Sequence, residues 1–142
     1  MAAIIDIADA VVGELNGHTF SKPFKAVRHY RPVFELADMA TLHVTVVPHG
    51  VEMQAASRAQ VQHDFAVDIG VQKKLDAASN AEIDALMALV EEIADFFRLR
   101  RLQAVPGAVW ARTENQPVYA PEHLEQLRQF TSVLTLTFRV LR

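Results

Sequence analysis

Between Ser79 and Leu102 the chain carries its one long helical pattern, and that stretch restricts what the remainder can build. At about 3.6 residues per turn it makes roughly six turns. Ser79 is placed to act as N-cap, with Glu82 three residues on as its reciprocal partner for free backbone N–H groups. Asp84 falls near the positive end of the helix dipole, and Arg98, Arg100 and Arg101 fall near its negative end. On a helical wheel Ile83, Leu86, Met87, Leu89, Val90, Ile93, Ala94, Phe96 and Phe97 occupy one half, and Asp84, Glu91, Asp95 and Arg98 the other. An apolar half of that width is suited to lie across a sheet.

The sheet signal surrounds this helix. Leu42, Val44 and Val46 alternate with His43, Thr45 and Val47, and Pro48, His49 and Gly50 predict a turn or bulge. Val51, Met53 and Ala55 resume the extended pattern, up to a polar turn at Ser57 to Ala59. In the next run Val61, His63, Phe65, Val67, Ile69 and Val71 share one face, while Gln62, Asp64, Ala66, Asp68, Gly70 and Gln72 share the other. One face is therefore expected to be buried and the other wet, and the two runs should form a long hairpin. Residues Gln129 to Leu141 alternate again, with Phe130, Ser132, Leu134, Leu136, Phe138 and Val140 set against Thr131, Val133, Thr135, Thr137 and Arg139.

The remaining segments are shorter. From Ala3 to Asn16, Ile4, Ile7, Ala8, Val11 and Leu15 recur at helical spacing, with Gly17 as the expected stop. Pro23 to Pro32, rich in cations, reads as an edge strand or extended arm. Pro106 and Gly107 precede a short strand from Ala108 to Thr113; Pro117 to Ala120 connects onward, and Pro121 to Leu127 suits one or two helical turns. With no repeat or linker across 142 residues, the expectation is a single α+β domain spanning 1–142. Its largely antiparallel sheet carries a long extended hairpin, and one face is covered by the long central helix and the short N-terminal one.

Chemistry-bearing patterns are sparse. The chain has no cysteine, so disulfides and thiolate metal sites are excluded. Its six histidines are scattered, without HExxH or ligand spacing. His63 and Asp64 point to opposite faces of a strand and cannot converge. Asp64 and Asp68 share a face but stand about 13 Å apart along it, too far to share a proton or a metal. Glu91, Glu92 and Asp95 make an acidic patch on the long helix. The serines lie in no nucleophile turn and the five glycines in no phosphate loop. No catalytic residue, cofactor or metal is expected. A formal charge of −3 with interspersed signs argues against direct nucleic-acid binding. The N-terminal apolar segment is broken by Asp6 and Asp9, so neither a signal peptide nor a membrane span is expected, and the chain should stay in the cytoplasm. A small ligand-binding domain using His43, His49 or His63 with Asp64 or Asp68 is the alternative of a different class, and an intracellular adaptor with a peptide groove is a third.

What remains is surface. Half of the residues are apolar, high for a small soluble domain, which suggests that other subunits cover part of them. The candidate subunit or partner interface comprises Arg28, Arg31, Arg58, Gln62, Asp64, Asp68, Gln72, Thr131, Val133, Thr135 and Thr137.

Leu42 to Pro48 (LHVTVVP), the turn Ser57-Arg58, the run Val61 to Leu75 (VQHDFAVDIGVQKKL), the long helix after it and the close Phe130 to Leu141 (FTSVLTLTFRVL) together resemble the tail terminator and tail completion proteins of long-tailed bacteriophages and prophages. The likeness covers most of the chain from about Thr41 onward. It implies a small α+β minor tail protein without enzymatic activity. Its copies would form a homo-hexameric ring that caps the tail tube protein, halts tail polymerisation and offers a surface to a head-completion or neck protein. It also implies location in the host cytoplasm during assembly and then in the virion tail. A neck or head-completion connector is the alternative within the same class. The cations Lys22, Lys25, Arg28 and Arg31 match no motif of that family.

Overall fold

Among the described residues, the alternation of β-branched and aromatic residues with polar ones produces five strands in one sheet, and the two helical patterns produce two helices. The computed structural model describes residues 2–30, 41–75, 80–115, 119–122 and 129–142. In chain order the elements are α1 (Ala3–Asn16), β1 (Ala26–Arg28), β2 (His43–Ala55), β3 (Val61–Lys74), α2 (Asn80–Phe97), β4 (Val109–Asn115) and β5 (Gln129–Leu141). The strand order is β1-β2-β3-β5-β4. Every pairing is antiparallel except that of β1 with β2. The fold is α+β, with β3 central.

Both helices pack on one face of the sheet. Val44 and Val46 of β2, Phe65, Val67, Ile69 and Val71 of β3, and Phe130, Leu134, Leu136 and Phe138 of β5 point to it. They meet Ile7, Val11 and Leu15 of α1 and Leu86, Leu89, Val90, Ile93 and Phe97 of α2. The rings of Phe97 and Phe138 meet edge to face with centroids 6.3 Å apart. Burying a leucine or phenylalanine side chain is worth about 1.5–3 kcal/mol, so this single layer supplies the main drive to fold.

Several local expectations are corrected. The long helix spans Asn80–Phe97 and does not continue to Leu102. The chain turns out of it at Leu99, whose φ of 62° lies in the left-handed region. The Arg100 and Arg98 amides bond back to Phe97 O and Asp95 O. Arg98, Arg100 and Arg101 therefore lie past the last turn, although the Arg100 Nε still donates to Phe96 O. Ser79 lies outside the described residues, and Glu82 takes the Lys73 ammonium at 2.6 Å. Gly17 closes α1 at φ −86°, without using a left-handed conformation. Among its described residues, the Pro23 to Pro32 segment contributes the three-residue strand β1 at the sheet edge.

Pro48 to Gly50 is a bulge within one continuous strand. Pro48 stands opposite Val67 and Gly50 opposite Ala66, with His49 as the extra residue. Beyond it β2 and β3 continue as a ribbon to a tip where the Ala56 and Ser57 amides bond to Gln60 O. Residues 51–60 are all exposed. The short strand runs to Asn115, and the helical turn expected up to Leu127 lies beyond the described residues after Glu122.

A left-handed leucine costs about 1–2 kcal/mol relative to its right-handed form, and glycine relieves that strain. Leu99 is 79% exposed, so little packing is lost with its side chain. Leu99→Gly is expected to raise stability by about 0.5–1 kcal/mol after the larger unfolded-state entropy of glycine is counted. The midpoint of urea unfolding measures it.

Candidate interaction surface

The sheet face away from the helices gathers most of the interface candidates. Its register sets Asp64 opposite Arg139, Ala66 opposite Thr137, Asp68 opposite Thr135, Gly70 opposite Val133 and Gln72 opposite Thr131. Eight of the candidates, Gln62, Asp64, Asp68, Gln72, Thr131, Val133, Thr135 and Thr137, thus share one surface because each occupies the polar phase of its strand.

Charge is organised across it in pairs. Arg139 donates from Nε and Nη2 to the two oxygens of Asp64, at 2.9 and 3.2 Å, and Gln62 Nε2 adds a bond of 3.3 Å. The Arg139 hydrogen bonds hold the Asp64 carboxyl below the ordinary carboxylate range, against an opposing effect of desolvation. The same pairing raises the pKa of Arg139. Asp68 accepts the Thr135 hydroxyl at 2.6 Å and meets His49 Nδ1 at 2.8 Å. Since an ionised carboxylate only accepts, Nδ1 is the donor in the latter contact.

Between the bulge and β4 the twist leaves a groove of about 640 Å³, lined by Glu52, Asp64, Arg112, Glu114, Thr137 and Arg139 among others. Its walls carry both signs of charge. This suits a polar protein surface bearing complementary pairs. Toward its other end the face is drier than the sequence predicts: Thr45, Gln72 and Thr131 are buried, and Thr45 Oγ1 and Gln72 Oε1 have no hydrogen-bond partner among the described residues. Thr137 is buried as well, so the expected wet face is wet only in part.

Neither a family model nor a curated protein sequence matches the chain.

The other candidates lie elsewhere. Arg28 is on the helix side, where its guanidinium bonds Asp9 of α1 at 2.6 Å and the Tyr30 hydroxyl at 3.1 Å, so it ties β1 to α1. Arg31 lies outside the described residues. Arg58 is exposed at the hairpin tip. His63 does face away from Asp64, with its ring parallel to that of Phe65 at 5.9 Å. The acidic patch on α2 is partly engaged, since Glu92 accepts the Ser21 amide. Among the described residues no three acids or imidazoles assemble in metal-binding geometry, and no helix is long and apolar enough to cross a membrane.

His49, Glu52, Arg112, Glu114 and Arg139 belong to this surface and are absent from the interface candidates, although the ligand-binding alternative names His49 with Asp68. Arg139 had a readable signal, as it extends the Thr131 to Thr137 phase by one more step. His49 had none, because its direction depends on the bulge.

Because the fold keeps Asp64 ionised below its unfolded pKa, its stabilising effect is fully present above about pH 4. It is lost as acid lowers the pH through the depressed folded value. Asp64→Asn is expected to flatten the fall in unfolding free energy as the pH drops below about 4, measured by urea unfolding at successively lower pH. Parallel curves for the two proteins would contradict the assignment.

Proposed function

We propose that this chain is a structural assembly protein that acts by shape, as a ring of identical subunits of the tail-terminator kind. The observation that carries this is the outer half of the hairpin. Val51, Met53 and Val61 are 46%, 67% and 39% exposed there, on the side of the sheet that elsewhere forms the core. Among the described residues no strand pairs with the outer edge of β2 beyond Val46, where β1 ends. Apolar side chains beside unpaired backbone donors and acceptors form a surface that another strand or sheet would cover. A contact between unlike surfaces of identical copies builds a ring when its rotation closes.

In this proposal the ring caps the tail tube protein, ends its polymerisation and presents the paired-charge face to a head-completion or neck protein. It assembles in the host cytoplasm and remains in the virion tail. A neck connector differs only in the surface on which it docks. A ligand-binding domain is favoured by one observation, the imidazole of His49 held by Asp68, whose second oxygen is in turn held by Thr135.

Light scattering on the eluting protein, with negative-stain images, is expected to show rings several times the monomer mass, or binding to tail tubes. A strict monomer at high concentration that also ignores tubes would end the proposal. Met53→Asp, placing a charge on the exposed apolar strip, is expected to lower self-association at least about tenfold while leaving the thermal midpoint unchanged within about 2 °C.

A further inference from the structure

A second concavity, of about 800 Å³, lies between α1 and the turn that follows α2. Ala10, Gly13 and Gly17 form one side, and Phe96, Arg100 and residues 103–106 the other. Two observations mark it as a receptor. The first is Glu14, whose side chain is only 9% exposed. Its Oε1 accepts from Arg100 Nη1 at 2.9 Å, but its Oε2 has no hydrogen-bond partner among the described residues. A buried carboxylate oxygen left unpaired is costly, and a donor arriving from outside removes that cost.

The second is Gly13, in the interior of α1. Glycine weakens a helix relative to alanine. A Cβ at Gly13 would meet nothing within 4 Å, so no contact within the chain demands glycine there. Gly13 lines the groove and adds no side chain to it. Asp6 and Asp9, both exposed, lie along the same wall; Asp9 is already paired with Arg28, so Asp6 is the added negative charge.

The matching group is a cation with several N–H donors on a slender support. Arg58 has that form: it is exposed at the hairpin tip between Ser57 and Ala59, both small. We infer that the groove beside Gly13 receives the hairpin tip of a second copy of this chain, with the Arg58 guanidinium donating to Glu14 and Asp6. Glu14 Oε2 is itself buried, so the contact requires the carboxylate to turn about its soft terminal torsion toward the incoming donor. Tip and groove are different surfaces, so the contact runs head to tail. The inference rests on the ring proposal and gives that ring its joint.

The chain has no cysteine, which makes a crosslink unambiguous. Gly13→Cys and Ala59→Cys proteins, mixed and mildly oxidised, are expected to yield a covalent heterodimer, with neither alone forming more than background dimer. The two changes in one chain should yield a ladder ending at the size of the ring. Arg58→Asp is expected to weaken self-association at least about tenfold, and Asp6→Arg added to it to restore part of the loss. Assembly by light scattering without heterodimer, and without effect of Arg58→Asp, overturns the tip-in-groove joint and leaves the ring standing. A monomer that ignores tail tubes removes both.

Discussion

β3 is held along nearly its whole length by β2 on one side and β5 on the other, so the direction of each of its side chains is set twice. The consequence is steep, because a slip of one residue against either neighbour would carry Phe65, Val67, Ile69 and Val71 from the helix-covered face to the open one. Asp64 and Asp68 would move into the core in their place, as unpaired buried charges. The two helices add to this arrangement without defining it. Their apolar stripes fit the surface that the strand register has already composed.

The polar face carries a second record of the same register. Asp64 finds Arg139, and Asp68 finds Thr135, only when β3 and β5 are aligned as observed. Exposed pairs of this kind contribute little net stability. Their value lies in discrimination, since a register shifted by two would set Asp64 opposite Thr137 or Leu141 in place of Arg139. The surface that is available to a partner is thus also the one that checks the alignment of the sheet, and Arg139, nearly half exposed while bidentate to Asp64, belongs to both tasks.

Where the chain's chemistry alternates without interruption, its structure was legible. β5 begins and ends where the pattern of Gln129 to Leu141 does, and α1 occupies the predicted Ala3–Asn16. The surface residues of β3 and β5 were found because a period of two assigns a face without knowledge of the partner strand. Legibility failed where geometry depends on distant contacts. The end of α2 is an example: Phe97 and Arg98 retain helix-compatible side chains, yet the chain must turn there so that the Trp110 amide can reach Arg100 O. The contact of Arg28 with Asp9 was not legible, because the two lie nineteen positions apart in the chain and no local pattern joins them. The strand order, which inserts β5 between β3 and β4, left no trace in local composition at all.

The single extra residue at His49 has a bearing on how this chain tolerates changes of length. On the near side of it, even-numbered residues of β2 face the helices; on the far side, odd-numbered ones do. Val51 and Met53 are continuous with the core side only because of that change of phase. Removing one residue there would exchange them with Glu52 and Gln54 over the entire outer ribbon, whereas adding or removing residues at the Ser57–Ala59 turn would exchange nothing. Homologous chains should therefore keep their count at the bulge.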